Sequence, residues 1–228
     1  MRLLSALFIA AVSLPLAVEA DPVVVELFTA QGCSSCPPAD AMLGKLAARD
    51  DVIALSLHVD YWDWIGWSDT FASPAMSERQ RAYAEAHGSS TLFTPQFVVD
   101  GDVSVAGANP RALERALAGH AAGPDVLRVE AGGQGPVLHA DTGGAPATLI
   151  LVRFVPSEQV EVTSGENAGL AVTYYNVVRD WVRLADWDGR ATTIPLPPGQ
   201  AGLSRAVLAQ STDGKAGSGP ILGAVRVD

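Results

Sequence analysis

Cys33 and Cys36 are the only cysteines in this 228-residue chain, and they stand in the stretch GCSSCPP, residues 32–38. Three chemistries use such a pair. As a redox couple, one thiolate attacks an outside disulfide or thiol and the other resolves the mixed disulfide. As half of a metal site, two thiolates and a histidine bind copper(I) or zinc; His58 is the candidate third ligand. As a structural staple, the bond closes a two-residue gap, which removes little entropy from the unfolded chain because that effect grows with loop length. The redox reading fits best. There is no second C-x-x-C, and His87, His120 and His139 have no ligand spacing.

The elements around the pair position it. VVVELFT (23–29) is an apolar, β-branched run and reads as a buried strand. The segment from Pro38 to Arg49 follows as a helix, with Met42, Leu43, Leu46 and Ala47 on one face. Cys33 then falls at or just before the first helical turn, where unpaired N–H groups and the helix dipole favour a thiolate. Cys36 lies one turn further in, as the less exposed, resolving thiol. Pro37 and Pro38 cost a first turn little, and Ser34 and Ser35 are the candidate caps. VIALSLHV (52–59) is a second buried strand, and residues 77–88 form a helix capped by Ser77 and ended by Gly88. Residues 95–101 and 103–107 make a hairpin turning at Asp100-Gly101. Residues 109–120 form a last helix with Asn109 as cap and Pro110 in its first turn.

That β-α-β-α-β-β-α order is a thioredoxin-like arrangement. In such proteins the hairpin strand begins at a cis proline facing the disulfide. Thr94-Pro95 occupies that place, and an X-Pro bond is the one site where a cis peptide is inexpensive. Pro95 is therefore expected to be cis and beside Cys33, with the Thr94 backbone presented to an extended peptide. VVELFTAQGCSSCPPAD, together with HVDYWDWIGWSD, ERQRAYA, TPQFVVDG and GENAGLAVTYYNVVRDW, resembles a family of exported bacterial proteins of undefined function. The resemblance spans nearly the whole chain after residue 20. It implies a thioredoxin-like fold with an appended β region and a redox pair at Cys33 and Cys36; it implies no substrate. Ser34-Ser35 between the cysteines differs from the Gly-Pro or Pro-His of better-known oxidoreductases, so no reduction potential carries over.

Two further features bear on the pair. Glu26, among Val24, Val25, Leu27 and Phe28, reads as a partly buried carboxylate that takes the Cys36 proton during exchange. The alternative is a strand-edge glutamate paired with Lys45 or Arg49. Residues 58–74 carry three of the five tryptophans interleaved with Asp60, Asp63 and Asp69. They read as an aromatic lip beside the cysteines or as an insertion whose rings pack against the β region while the carboxylates cap turns. TSGENAG (163–169) reads as a turn, with no chemistry assigned to it.

The first twenty residues have the basic start, apolar middle and small-residue end of a secretory signal peptide, with cleavage after Ala20. Export places the cysteines where disulfides persist, in a periplasm or outside the cell. The formal net charge of −10, which removal of Arg2 and Glu19 leaves unchanged, disfavours nucleic acid and anionic membrane as partners. After residue 123 the helical period gives way to short apolar or alternating segments, read as an all-β, sandwich-like domain. The expected organisation is a signal peptide (1–20), a thioredoxin-like domain (21–122) and a β-rich domain (123–228), joined at the linker 119–124. The expected function is thiol–disulfide exchange with protein thiols or disulfides through Cys33, Cys36, Thr94, Pro95 and Glu26. No cofactor and no membrane span after cleavage are expected. The alternatives are a binding module with a quiet disulfide and a copper or zinc chaperone using Cys33, Cys36 and His58.

Overall fold

The computed structural model describes residues 21–120, 126–213 and 219–228. The expected signal peptide and most of the expected linker lie outside the described residues. The first half is built from β1 (Val23–Thr29), α1 (Pro37–Ala47), β2 (Val52–His58), α2 (Pro74–Ala86), β3 (Gln96–Val99), β4 (Val103–Ala106) and α3 (Pro110–Gly119). The second half is all strand: β5 (Leu127–Gly132), β6 (Gly135–Ala140), β7 (Ala147–Glu161), β8 (Ala171–Trp187), β9 (Thr192–Pro195), β10 (Ser204–Ser211) and β11 (Ile221–Arg226).

These strands form a large mixed sheet and a small one. The large sheet runs β11-β10-β7-β8-β2-β1-β3-β4, and the small one β5-β6-β9. β1 and β2 are parallel, from Val23 opposite Val52 to Thr29 opposite His58. β3 is antiparallel to β1, and β4 to β3. The large sheet therefore crosses residue 123. It is joined there by β8, whose one ladder position with β2 pairs Val177 with Ser56.

Alternation along β1 and β2 sorts the core into two faces. Val25, Leu27, Ala54 and Phe97 pack under Ala39, Leu43 and Leu46 of α1 and Leu113 and Leu117 of α3. Val24, Phe28, Leu55 and Leu57 face the other way, with Met76 and Tyr83 of α2, and this cluster also holds Cys33 and Cys36.

Several helix signals act as the sequence suggests. Asn109 caps α3, its side chain accepting from Ala112 N, with Pro110 next. Asp100 and Gly101 turn the β3–β4 hairpin with φ of 45° and 68°, the left-handed values such a turn needs. Two assignments change. α2 is capped by Ser73, which accepts from Ala75 N, with Pro74 opening the helix; Ser77 lies inside it, and its hydroxyl donates to Asp60. Neither Ser34 nor Ser35 caps α1: both are exposed, and Cys36 itself is the N-cap residue.

Candidate functional site around the Cys33–Cys36 disulfide

Two tight turns lead from β1 to α1. Cys33 N donates to Ala30 O, and Cys36 N to Cys33 O, at 3.1 Å each. The second turn brings the two Cα atoms to 5.4 Å, and the sulfurs are bonded. Cys33 thus lies just before the helix, one turn ahead of its N-cap residue Cys36. Pro37 and Pro38 have no N–H, and the next two amides, Ala39 N and Asp40 N, both donate to Cys36 O at 2.8 and 3.0 Å. The helix start therefore has fewer spare donors for a thiolate than an ordinary one. The burial expectation also changes. The sequence pattern makes Cys33 the more open thiol, yet it is 1 % exposed, against 0 % for Cys36.

A polar cluster lies on the α1 face of the sheet, reached from the pair through the first turn of α1. Asp40 is four residues past Cys36, so the two share one side of the helix, and helical side chains lean toward the N-terminus. The Thr29 hydroxyl donates to Asp40 Oδ1 at 2.8 Å. Asp40 Oδ2, Ser56 Oγ and His58 Nε2 are buried with no hydrogen-bond partner. Burial pushes the Asp40 carboxyl up to about 7, against the opposing pull of His58 and the Thr29 hydrogen bond. His58 Nδ1 lies 2.7 Å from Asp69 Oδ2, which also accepts from Gln31 N at 2.7 Å; Asp69 Oδ1 accepts from Phe71 N. Burial alone would raise Asp69, but the His58 charge and these hydrogen bonds outweigh it and hold the carboxyl below its ordinary value. The His58 ring is packed edge-on against Phe71 and Tyr174.

The predicted residues are not all gathered here. Glu26 points away from the polar cluster, to the α2 face whose apolar cluster also holds the cysteines; there Arg79 Nε lies 2.5 Å from its Oε1 and the Tyr83 hydroxyl donates to its Oε2 at 2.5 Å. Arg79 also donates to Gln210 Oε1 of β10 at 2.9 Å, and its guanidinium stacks on Trp181 of β8. The partner of Glu26 is therefore neither Lys45 nor Arg49, and both carboxylate oxygens are engaged, one in a buried ion pair and the other by the Tyr83 hydroxyl. Burial lowers the Arg79 pKa, but Glu26 and Tyr83 more than reverse this and keep it charged.

The Thr94–Pro95 bond is cis, immediately before β3. Nearby, Gln80 Nε2 donates to Phe93 O at 2.7 Å, and the Tyr61 hydroxyl donates to Gln80 Oε1 at 3.1 Å. Burial drives the Tyr61 phenol up to about 12.

The tryptophan segment divides. Trp62 packs against the cluster that holds the disulfide. Trp67 Nε1 donates to Gln31 Oε1 at 2.8 Å. Trp64, in the short 3-10 turn Asp63–Ile65, stands out into solvent. The carboxylates of this segment do hold turns: Asp63 accepts from Asp69 N and Ser68 Oγ. Two residues carry no sequence signal for the site. Asp40 reads as an ordinary helix-start acid, and Asn167 as a polar turn residue. Asn167 is buried, and its amide donates to Gln31 O at 2.8 Å and Cys33 O at 2.9 Å.

Among the described residues, no group of three or more histidine, cysteine, aspartate or glutamate side chains is arranged to hold a metal ion, and no helix is long and apolar enough to cross a membrane. No curated protein is similar to the chain. A crystal structure of a protein from Agrobacterium tumefaciens matches with a TM-score of 0.79 and 33 % identity, covering 92 % of this chain and 96 % of that one. The HBP35 protein of Porphyromonas gingivalis matches with a TM-score of 0.61 and 16 % identity, over 91 % of this chain and 74 % of that one, a likeness of fold alone. A family model covers residues 24–210, so the strand–cysteine–helix site and the strands that follow it belong to one family: the chain is a member of DUF1223, proteins of unknown function.

Proposed function

We propose that the protein is an exported thiol–disulfide exchange protein with a thioredoxin-like first half, acting on protein thiols or disulfides. The observation that carries the reading is the Cys33–Cys36 disulfide at a strand–helix junction, with Asp40 one helical turn past Cys36 and protonatable near neutral pH. The parallel β1–β2 pair, the antiparallel β3–β4 hairpin and the cis Thr94–Pro95 bond support the thioredoxin-like assignment. In this reading the partner thiolate attacks Cys33 Sγ and Cys36 leaves as a thiolate. The Asp40 carboxyl is freer than Glu26 to supply the proton, because both Glu26 oxygens are already bonded while Asp40 Oδ2 has no partner. Thr94 and Pro95 present main chain to the partner peptide.

A second reading has a specific observation behind it. The burial of Cys33 suits a binding module whose disulfide is quiet. Glutathione titration of the chain from Asp21 onward, equilibrated to constancy and quenched by thiol alkylation, separates the two. Exchange chemistry predicts a potential within roughly −120 to −270 mV, the range of dithiol catalysts. A potential below about −300 mV, typical of structural disulfides, would remove the exchange reading.

A further inference from the structure

The disulfide sits at the end of the sheet where an outside partner would reach it, yet two segments cover it. The first is the turn from Trp62 to Trp67. It packs on Gly32, where an added Cβ would come within 3.3 Å of Ile65 Cδ1. The second is the tip of the β7–β8 hairpin, residues 163–170. Beyond Phe154, β7 has no register with β10, and past the Val177–Ser56 junction with β2 the hairpin runs on two-stranded to a tip at Cys33. Asn167 fastens its tip to Gln31 O and Cys33 O. The two segments also hold each other. Ser164 Oγ donates to Gly66 O at 2.7 Å. Gly165, with φ of +76°, passes so close that a Cβ there would lie 3.2 Å from Trp67 Cβ.

The same segments carry an unusual surface. Among the described residues, the two exposed large hydrophobic side chains are Trp64, at 82 %, and Leu170, at 44 %. One stands on each covering segment.

We propose that these segments form a gate, with Asn167 as its latch, that withholds the Cys33–Cys36 disulfide from small thiols and opens to a partner protein bearing a dithiol and an apolar patch for Trp64 and Leu170. The proposal deepens the exchange reading and rests on it for the partner's chemistry. Asn167 is a positioning residue, since its contacts are to main-chain carbonyls. Once the latch lifts, water or a partner N–H replaces it on Gln31 O and Cys33 O, so opening leaves no carbonyl unpaired. One partner thiolate then bonds to Cys33 Sγ, and the Cys33–Cys36 bond breaks. Cys36 departs with the electron pair and takes one proton. The second partner thiolate attacks the partner sulfur of the mixed disulfide and releases Cys33, which takes the other proton. The partner dithiol loses two electrons and two protons, and the chain's disulfide gains them.

The test is the rate of disulfide reduction by glutathione, read by alkylation and mass shift. Asn167→Asp keeps the side-chain shape but cannot donate to either carbonyl. Losing two hydrogen bonds from the closed state should raise the rate about tenfold or more. Ser164→Ala, which leaves Asn167 in place, should raise it by roughly twofold to fivefold, and it decides the matter if Asn167→Asp does not fold. A wild-type rate in the folded variants, or a wild-type rate already equal to that of the urea-unfolded chain, would overturn the gate. For the docking surface, reduced thioredoxin serves as the protein dithiol. Trp64→Ser should lower the ratio of the thioredoxin rate to the glutathione rate, and an unchanged ratio overturns that half of the proposal. If the variants gain reactivity toward glutathione while neither they nor the wild type exchange with thioredoxin, the gate stands and the exchange reading falls.

Discussion

Replacing Asp40 by asparagine should flatten the dependence of stability on pH. Burial holds the folded carboxyl protonated up to about 7, against an ordinary value of 3.8. Between those values the unfolded chain has already released this proton and the folded chain has not. The folded state therefore binds more protons, and stability falls as pH rises through this window. Above the folded value both states are ionised and the contribution levels off. With one pKa unit equal to about 1.4 kcal/mol, the titration of Asp40 alone should cost roughly 2–3 kcal/mol between pH 5 and pH 8. A carboxamide does not titrate, so Asp40→Asn lacks this slope whatever fixed stability change the amide brings. The assay is urea unfolding of the oxidised protein at both pH values, for wild type and variant. Asp100, which burial pushes up to about 6, titrates in both proteins and cancels in the comparison. If the two proteins lose the same stability between pH 5 and pH 8, Asp40 is already ionised at neutral pH, and its role as proton donor to Cys36 fails with it.

Two further perturbations test the architecture. Arg79→Met leaves Glu26 buried without its counter-charge and should cost about 3–5 kcal/mol in urea unfolding; a loss under about 1 kcal/mol would mean that water reaches the carboxylate. Gly44→Ala places a Cβ 2.6 Å from the Tyr175 ring, where α1 meets β8, and should cost about 1–3 kcal/mol through overpacking. A neutral result would show that the helix and the hairpin arm part easily, and thermal melting is enough to see it.

Much of the first half is legible because its signals are local. Asn109 and Pro110 mark the start of α3, Asp100-Gly101 marks the hairpin, and the apolar runs of β1 and β2 have the length of buried strands. Ser77 misleads because a better capping residue, Ser73, stands directly before Pro74, which cannot sit within a helix but opens one readily. The second half reads as many short segments because its longest strands are broken in pattern, not in path. β8 runs seventeen residues through Arg179 and Asp180, with Asn176 at a positive φ of 48° and register shifts against β7. Its junction with β2 is hidden, since pairing between distant strands leaves no mark on either one. The site is half legible for the same reason. A C-x-x-C pair is visible in one window of sequence. The protonation of Asp40 depends on burial between α1 and the sheet, which outweighs the pull of Thr29 and His58, and the use of Asn167 on where a hairpin tip lands 134 residues from Cys33.

Arg79 has a consequence for how this family can vary. One guanidinium serves a carboxylate on β1, a phenol on its own helix and an amide on β10, with an indole ring of β8 against its face. Exchanging any one of Glu26, Arg79, Tyr83 or Gln210 strands the others in the dark of the protein. Lineages should therefore keep the quartet intact or trade it away together, and a homologue that lacks the arginine should carry an apolar residue where the glutamate stood.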